Sequence, residues 1–399
     1  MKLAILHYLP LEYYPPITNL IDYIAKELNL NFGLVKVFST HNIKGRIEYR
    51  VSSISKENNY LKINHKLQIT NYKLPTIHRS SFPKETDSSP IRLLKYIQYN
   101  LFTLIGLVIF RPNNLLYYES YSVWPAYIYT RYFNKKCSIF IHNHEYADKE
   151  WYATTMRLVR YYHILEKKWL YPQAIWNSQT NDDRLRLFHN DHPTIKPETL
   201  KVMPNYPPRC WQRKNSIPNQ PDKYTTENPL KIVYVGSLSF QSTYLKEFCD
   251  WVIQQKGETQ FDIYSYNLYN DVKEYFYQLS PFINYFNKGV EYYDLPHILS
   301  QYQVGLILYK AHNKNYTFNA PNKLFEYLAC NLDVWYHKTL HGPQPYNTNE
   351  TYPKVMPIDF DNLNSFDIEK AIDKSNCRYK PNTYWCENAI QPLIKELIK

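Results

Sequence analysis

The stretch NAPNKLFEYLACN, residues 319–331, has the pattern of a short helix with a cation in its first turn. Asn319 is a good helix cap, and Pro321 suits a first turn. Asn331 can end the helix in the left-handed conformation. The apolar face is supplied by Leu324, Phe325, Tyr327 and Leu328. Lys323 is the unexpected residue, because the helix dipole disfavours positive charge at this end.

Asn322, Lys323 and Glu326 are spaced to share one side of this helix near its start. A helix N-terminus binds anions, and a lysine there strengthens the site. Glu326 lies one turn further on and suits hydroxyl donors rather than the same anion. A diphosphate joined to a ribose meets both requirements. The alternative is a solvated Lys–Glu pair on an exposed face, and spacing alone does not decide between the two.

The composition indicates a globular chain of two domains with anionic partners. A length of 399 residues exceeds one ordinary core, and a hydrophobic fraction of 44% argues against disorder. There are 47 Lys and Arg residues against 36 Asp and Glu, a formal charge of +11. That balance suits phosphorylated substrates, nucleic acid or an acidic membrane surface, without choosing among them.

The cysteines and the apolar runs bear on the compartment. Six cysteines are scattered without a CxxC pair, which is typical of reduced thiols in the cytosol. The N-terminus lacks the pattern of a signal-peptide cleavage site. The longest apolar run, LFTLIGLVIF at 101–110, is half of the roughly 20 residues that span a bilayer. We therefore expect a cytoplasmic protein that is soluble or peripheral at the inner face of the membrane.

The first half of the chain shows a β-α-β opening. Strand-like runs at 2–7 and 34–38 flank the helical pattern ITNLIDYIAKEL, and the region 42–85 adds strands or loops. Ser89 and Pro90 mark the start of a helix that reaches about residue 110. Further strands are predicted at 115–120, 137–143, 174–177 and 200–205.

A proline-rich linker separates this half from a second βα series. Six prolines fall between residues 204 and 229. Strands are then predicted at 231–236, 261–267, 283–286, 304–309, 333–337 and 354–358, with helices between them, one of them capped by Asp294. The prediction is an α/β protein of two doubly wound parallel sheets. We assign the domains as 1–205, a linker at 206–229, 230–380, and a C-terminal helix at 381–399, interrupted at Pro392, that returns to the first domain.

The order of several motifs resembles a known family. VYVGSLSF (233–240), EYYDLPHILSQYQVGLILY (291–309) and NAPNKLFEYLACNLDV (319–334) resemble the C-terminal half of a family 4-type glycosyltransferase of the GT-B fold. IHNHEYADKEWY (141–152) and VMPNYP (202–207) are similar to the N-terminal domain and linker of bacterial members. The resemblance implies two Rossmann-like domains facing a cleft. It also implies sugar transfer from a UDP- or GDP-sugar to a glycan or lipid-linked acceptor in surface polysaccharide synthesis, with retention and without a metal or cofactor.

The resemblance also implies roles for residues of the second domain. Glu326 would bind the nucleotide ribose, and Lys323 with the backbone of residues 320–322, Asn322 included, would face the diphosphate. Gly236 and Ser237 would lie where the loop after the first strand approaches the donor phosphates.

Two positions depart from the family pattern. Phe318 stands where the family often has a second glutamate, and the loop GSLSFQST (236–243) lacks the arginine and lysine that often occur there. We consider compensation by Lys246, Lys310 or Lys314.

HNHEYAD, residues 142–148, follows a predicted strand, and ligands of doubly wound sheets bind at strand carboxyl ends. His142 and His144 alternate to one face, with Glu145 opposite. Three interpretations stay open for these residues: a metal pair without an obvious third ligand, a structural histidine, and a role beside the donor sugar. The resemblance favours the last and assigns His144 and Glu145 as catalytic.

Two further features leave alternatives open. Asp359 and Asp361 have the spacing of an Asp-x-Asp metal motif, but we interpret them as surface and predict no metal. The helix ending in LFTLIGLVIF has Arg92, Lys95 and Arg111 at its ends, so it is either buried or docked on an anionic membrane.

Three other functions compete with transfer. Phe318 and the uncharged loop also fit a catalytically impaired nucleotide-sugar-binding protein, and a sugar-nucleotide epimerase has the same fold. A nucleic-acid binder ranks last, because the aromatic residues are dispersed and no recognition motif occurs.

Overall fold

The computed structural model describes residues 1–27, 33–43, 45–51, 74–213, 221, 223–266, 268, 270–276 and 280–399. The chain divides into two compact units. Unit 1 comprises Met1–Cys210 and Cys386–Lys399, and unit 2 comprises Trp211–Trp385.

Unit 1 is built on a seven-stranded parallel sheet. Its strands are β1 (Lys2–Leu6), β2 (Leu34–Thr40), β3 (Thr76–Ser80), β4 (Asn114–Tyr118), β5 (Ser138–His142), β6 (Trp176–Gln179) and β7 (Leu200–Val202). They lie in the order β3-β2-β1-β4-β5-β6-β7. The order reverses between β1 and β4, which is the topological switch point of a doubly wound sheet.

Helices cover both faces of this sheet. They are α1 (Pro15–Glu27), α2 (Ser89–Phe110), α3 (Val123–Ile128), α4 (Lys149–Thr154), α5 (Arg157–Leu165), α6 (Tyr171–Gln173), α7 (Asp182–Asp191) and, from the end of the chain, α14 (Cys386–Ile398). π-helical turns follow α3 at Tyr129–Phe133 and α5 at Glu166–Leu170. Side chains alternate along β1: Leu3 and Ile5 join the core under α1 and α14, and Ala4 and Leu6 join the core under α2 and α3.

Unit 2 repeats the plan with a six-stranded parallel sheet in the order β10-β9-β8-β11-β12-β14. The strands are β8 (Leu230–Val235), β9 (Thr259–Tyr264), β10 (Ile283–Phe286), β11 (Val304–Ile307), β12 (Asp333–His337) and β14 (Val355–Ile358), and a separate pair is β13 (Thr351–Tyr352) with β15 (Arg378–Tyr379). The helices are α8 (Leu245–Gln254), α9 (Asn270–Phe276), α10 (Leu295–Leu299), α11 (Lys314–Thr317), α12 (Asn322–Ala329) and α13 (Ile368–Ile372). In this sheet the switch point lies between β8 and β11. The two sheets confirm the prediction of two doubly wound parallel sheets.

The remaining short segments are 3-10 turns. They lie at Leu11–Tyr13, Ser120–Ser122, Pro197–Thr199, Arg209–Trp211, Tyr292–Asp294, Gln344–Tyr346 and Leu363–Ser365.

Helix ends were predicted less well than helices. Asn319 does not cap α12; its N–H donates to the Tyr316 carbonyl at the end of α11, and Pro321 takes the cap position in an extended conformation. Ser88 rather than Ser89 precedes α2. Asn331 does adopt the left-handed conformation, with φ 62°. Asp294 holds its predicted cap position, but its side chain makes no capping bond.

Two other predictions need correction. Helix α14 continues through Pro392, which lies inside it, so the helix is not interrupted there. Of the region 42–85, residues 76–80 form a strand, residues 45–51 do not, and 52–73 lie outside the described residues.

Helix α2 overturns the prediction that no segment approaches a membrane span. It has 22 residues, and its most apolar stretch has a mean hydropathy of 1.5 and is 33% buried, so by length and composition it could cross a bilayer. The apolar run at 101–110 is only its second half, and the preceding turns add Ile91, Leu93, Leu94 and Ile97. One side of α2 packs on β1, β2, β3 and α3, which makes the helix part of the unit 1 core.

Candidate functional site

The switch point of unit 2 carries a glycine whose conformation and surroundings both require it. Gly236 follows β8 directly with φ 144°, a region that side chains rarely adopt. A Cβ added there would lie 2.8 Å from the Lys323 Nζ and 3.4 Å from the Tyr234 hydroxyl. The missing side chain therefore lets the Lys323 ammonium approach the backbone at the end of β8.

Lys323 is a buried cation held by aromatic rings. It is 7% exposed, and its Nζ lies 4.2 Å from the ring centroid of Tyr234 and 4.5 Å from that of Tyr309. Among the described residues the Nζ has no hydrogen-bond partner. Ring faces attract cations, but buried charges are normally paired as well. The arrangement leaves the ammonium able to receive an anion.

Glu326 is buried one turn further along α12. It is 8% exposed, and the Lys323 ammonium is the neighbouring charge that acts on its carboxyl. Burial raises the pKa of the Glu326 carboxyl from 4.5 to about 7, an effect that the Lys323 charge partly offsets. The interpretation of these two residues as a solvated pair on an exposed face is therefore wrong, because the helix packs this side inward.

The other predicted donor residues lie at the rim of this group. Asn322 is half-buried at the first position of α12, and Ser237 is exposed in the loop after β8. The Ser237 carbonyl accepts a bond of 2.8 Å from the Tyr234 hydroxyl. In the same loop Thr243 Oγ1 donates to the Ser239 carbonyl at 2.6 Å. The Thr243 hydroxyl therefore stabilises the loop, whereas Ser237 is an exposed residue of it.

The three lysines considered as compensation do not join Lys323 as free buried cations. The Lys310 Nζ lies 3.0 Å from the Glu247 carboxylate, so its charge is already neutralised. Lys246 and Lys314 are exposed. The Phe318 ring packs edge-on against His341, at 5.2 Å between centroids. Lys323 is thus the cation that the fold buries beside the end of β8.

The second predicted group lies at the carboxyl edge of the unit 1 sheet. His144 is buried, and its ring stacks on Tyr118 at 4.9 Å and on Tyr14 at 5.3 Å between centroids. Neither ring nitrogen has a hydrogen-bond partner in the described residues. Burial, with smaller contributions from His142 and His7, holds the pKa of His144 well below 6.5. The imidazole is therefore neutral at physiological pH and can donate or accept one hydrogen bond.

Two neighbouring histidines share this setting. His142 Nδ1 lies 2.8 Å from the Ser178 hydroxyl, and His7 Nδ1 lies 2.6 Å from the Leu9 carbonyl. The Nε2 atoms of both rings are buried without a hydrogen-bond partner in the part that the structure describes. Burial lowers the pKa of His142 to about 3 and that of His7 to about 4.

Two carboxylates hold the backbone around His144. Glu145 is exposed and pairs with the Arg184 guanidinium at 3.1 Å, and Arg184 also donates to the His144 carbonyl at 2.8 Å. Glu119, directly after β4, accepts a bond of 2.6 Å from the His144 N–H. Its φ of 59° is a strained conformation for this residue. Burial raises the pKa of Glu119 to about 8, and the charge of Glu145 adds to the effect.

A third cluster involves the Asp-x-Asp sequence. His337 joins Asp359 and Asp361, and their ligand atoms lie within 4.8 Å of one another. Asp361 is exposed as predicted, but Asp359 is half-buried and bonds the Lys338 ammonium at 2.6 Å. His337 Nδ1 accepts a bond from the Phe360 N–H at 3.2 Å. The groups are thus already engaged in hydrogen bonds and ion pairs.

Sequence reasoning missed Tyr234, Tyr309 and Glu119. Each lies at the end of a strand or within two residues of it, beside the switch point of its sheet. A polar or aromatic residue at that place in a βα pattern is the signal that could have found them.

Comparison with known proteins shows similarity in structure but not in sequence. No family model matches the sequence, and no curated protein matches it. The solved structure of Anabaena HepE in complex with UDP-glucose superimposes with a TM-score of 0.60 at 12% identity, covering 100% of this chain and 99% of that one. The structure of the lipopolysaccharide outer core galactosyltransferase WaaB superimposes with a TM-score of 0.59 at 13% identity, covering 100% of both chains. The structure of the UDP-GlcNAc 2-epimerase of Neisseria meningitidis bound to UDP-GlcNAc superimposes with a TM-score of 0.54 at 11% identity, again covering 100% of both chains. The chain has the GT-B fold, with two Rossmann-like domains.

Proposed function

We propose that this protein is a glycosyltransferase that binds a nucleotide-sugar donor in unit 2. The observation that carries the proposal is the buried Lys323 ammonium, which has aromatic neighbours but no hydrogen-bond partner among the described residues. It lies beside Gly236 at the switch point, where doubly wound sheets bind ligands. Structural neighbours that include a UDP-glucose complex and a galactosyltransferase support the same class.

The donor would bind along the start of α12. Its diphosphate would take the N–H groups at the helix start together with Lys323, and its ribose hydroxyls would donate to Glu326. Negative charge develops on the diphosphate as the sugar leaves, and a preorganised cation stabilises that charge. Lys323 fits this role without an obligatory metal. Membership of family 4 and retention of configuration are part of the proposal and rest on the sequence resemblance.

We propose that the carboxyl edge of the unit 1 sheet also carries a group of the reaction. The neutral His144 ring suits a hydrogen bond to a sugar hydroxyl, because it can donate or accept but carries no charge. Glu145 is held by Arg184 and would fix the backbone next to His144. We propose a glycan or lipid-linked acceptor in surface polysaccharide synthesis.

A sugar-nucleotide epimerase is the second candidate. Phe318 stands where the transferases that this chain resembles often have a glutamate near the donor sugar. A structural neighbour is an epimerase bound to UDP-GlcNAc. Both candidates share the nucleotide site and differ in what happens to the sugar.

The nucleotide site is tested by calorimetric titration with UDP, GDP and ADP. We expect one nucleoside diphosphate to bind. Lys323→Met should lower the affinity for it at least tenfold, and Glu326→Gln should lower that affinity by a similar factor. Lys314→Met and Glu350→Gln change exposed residues of the same unit and serve as matched controls. Equal affinity in all five proteins would refute the assignment of the site.

The reaction is tested with nucleotide sugars, with and without an acceptor extract. Release of nucleotide that requires acceptor indicates transfer, and an NMR signal of the newly formed anomeric proton reports retention or inversion. Isomerised donor without acceptor indicates the epimerase. Nucleotide binding without either product would indicate a catalytically impaired protein.

A further inference from the structure

Helix α2 presents an apolar face to solvent. Leu94 is 65% exposed, Ile105 59% and Ile109 73%, and Ile97 and Leu101 are also exposed. These residues recur at intervals of three and four, so they form one stripe on the side opposite the packed face. The stripe runs about 23 Å along the helix, at 1.5 Å per residue. Between residues 96 and 110 the helix has no charged side chain.

The rotation of α2 is fixed by hydrogen bonds on its packed side. Tyr96 donates to the Tyr121 carbonyl at 2.8 Å, and Tyr99 bonds the Ser122 hydroxyl at 3.2 Å. Asn100 lies on the same side and is buried, with its Nδ2 bonded to the Tyr96 carbonyl within the helix at 2.9 Å. Four polar side chains of the helix are therefore buried in the unit, and the five aliphatic ones of the stripe are exposed; the buried ones are Tyr96, Tyr99, Asn100 and Thr103. An ordinary surface helix has the reverse arrangement.

The apolar surface continues beside the helix. The π-helical turn after α3 packs against α2 and exposes Tyr132 and Phe133, which are among the most exposed aromatic residues of the described chain. Tyr and Trp favour the boundary between headgroups and acyl chains because they combine an apolar ring with a polar atom.

The charged side chains of α2 and of the π-helical turn beside it are all positive. Arg92 and Arg111 lie at the ends of α2, and Arg131, Lys135 and Lys136 are exposed beside the two aromatic residues. Neither segment 88–111 nor segment 127–136 contains an aspartate or glutamate. In a two-fold contact between copies, the same patch meets itself, and these cations would repel one another. An anionic surface complements them instead.

We propose that this face, Leu94 to Ile109 with Tyr132 and Phe133, docks in the surface of an anionic lipid bilayer. The helix would lie in the membrane plane with its aliphatic stripe among the upper acyl segments and the cations at the phosphates. Its other side remains packed on the unit 1 sheet, so the helix does not span the membrane. This inference is independent of the proposed function.

The test is flotation of the full chain with vesicles of phosphatidylcholine alone or with about 30% of the anionic lipid phosphatidylglycerol. We expect binding to the anionic vesicles that weakens at high salt. Leu101→Gln with Ile105→Gln should reduce bound protein at least tenfold. Ile253→Gln with Ile398→Gln replaces two exposed isoleucines outside the patch and should bind as the wild type. Unchanged thermal unfolding shows that both pairs fold.

A second measurement separates lipid from other occupants of the face. A polarity-sensitive fluorophore on Ile105→Cys, with Cys210 and Cys377 replaced by serine, should be quenched by iodide in solution and by brominated lipid on vesicles. Protection from iodide without lipid would mean that protein covers the face, and protection that grows with concentration would identify a second copy. Either result, or equal flotation of all variants, would overturn the proposal.

Discussion

Replacing Glu326 by glutamine should stabilise the free protein at alkaline pH while weakening its ligand binding. Burial raises the pKa of this carboxyl from 4.5 to about 7, so the folded state holds the proton more tightly than the unfolded state. Its contribution to the free energy of unfolding is therefore fully present below pH 4.5. It falls as the pH rises to 7 and changes no further once both states are ionised.

The size of the effect follows from the shift. One pKa unit corresponds to about 1.4 kcal/mol, so the free energy of unfolding of the wild type should fall by about 3 kcal/mol between pH 4.5 and 8 through this group. Glutamine does not titrate, so the free energy of unfolding of Glu326→Gln has no pH-dependent contribution from this position. The variant should therefore gain about 3 kcal/mol relative to the wild type over that range.

Urea unfolding of both proteins at pH 4.5 and 8 measures this difference. All other groups titrate equally in the two proteins, so their contributions cancel in the comparison. Glu350→Gln, which changes an exposed glutamate of unit 2, should show no such trend. A gap between variant and wild type that changes by less than about 1 kcal/mol between the two pH values would refute the raised pKa of the buried Glu326 carboxyl.

The same carboxyl predicts a pH dependence of binding, and three other substitutions test the two sites. Nucleoside diphosphate affinity of the wild type should rise through pH 7 as Glu326 ionises, and calorimetry should find a flatter profile for Glu326→Gln. Lys323→Met should shift the pH-dependent loss of stability to higher pH, measured by urea unfolding, because the Lys323 charge partly offsets the rise in the Glu326 pKa. Gly236→Ala should lower the free energy of unfolding by about 1–3 kcal/mol, measured in urea, because φ is 144° and the new Cβ meets the Lys323 Nζ. His144→Gln should reduce turnover about 100-fold in a transfer assay while nucleotide affinity, measured by calorimetry, stays unchanged.

The order and type of the main elements follow from the sequence, because they depend on local apolar periodicity and chain reversals. Strand runs such as KLAILH and KIVYVG, separated by helical patterns, predicted two doubly wound sheets, and right-handed crossovers leave few other topologies. The left-handed Asn331 also follows from a local rule. The cap of α12 could not be predicted in this way. The Asn319 N–H donates to the Tyr316 carbonyl of the preceding helix, and residue spacing does not show that contact.

Tertiary packing alone decided what the candidate sites are. The spacing of Lys323 and Glu326 fits a solvated pair as well as a buried one, and only the packing of α12 on the sheet of unit 2 buries both. Tyr234 lies on β8 and Tyr309 lies two residues after the neighbouring β11, so they flank the ammonium only after the sheet has formed. The exposed stripe of α2 has the same origin, because the free face of a largely apolar helix can be identified only when its packed face is known. Periodicity acts within a few residues, whereas burial and charge pairing depend on contacts between distant parts of the chain.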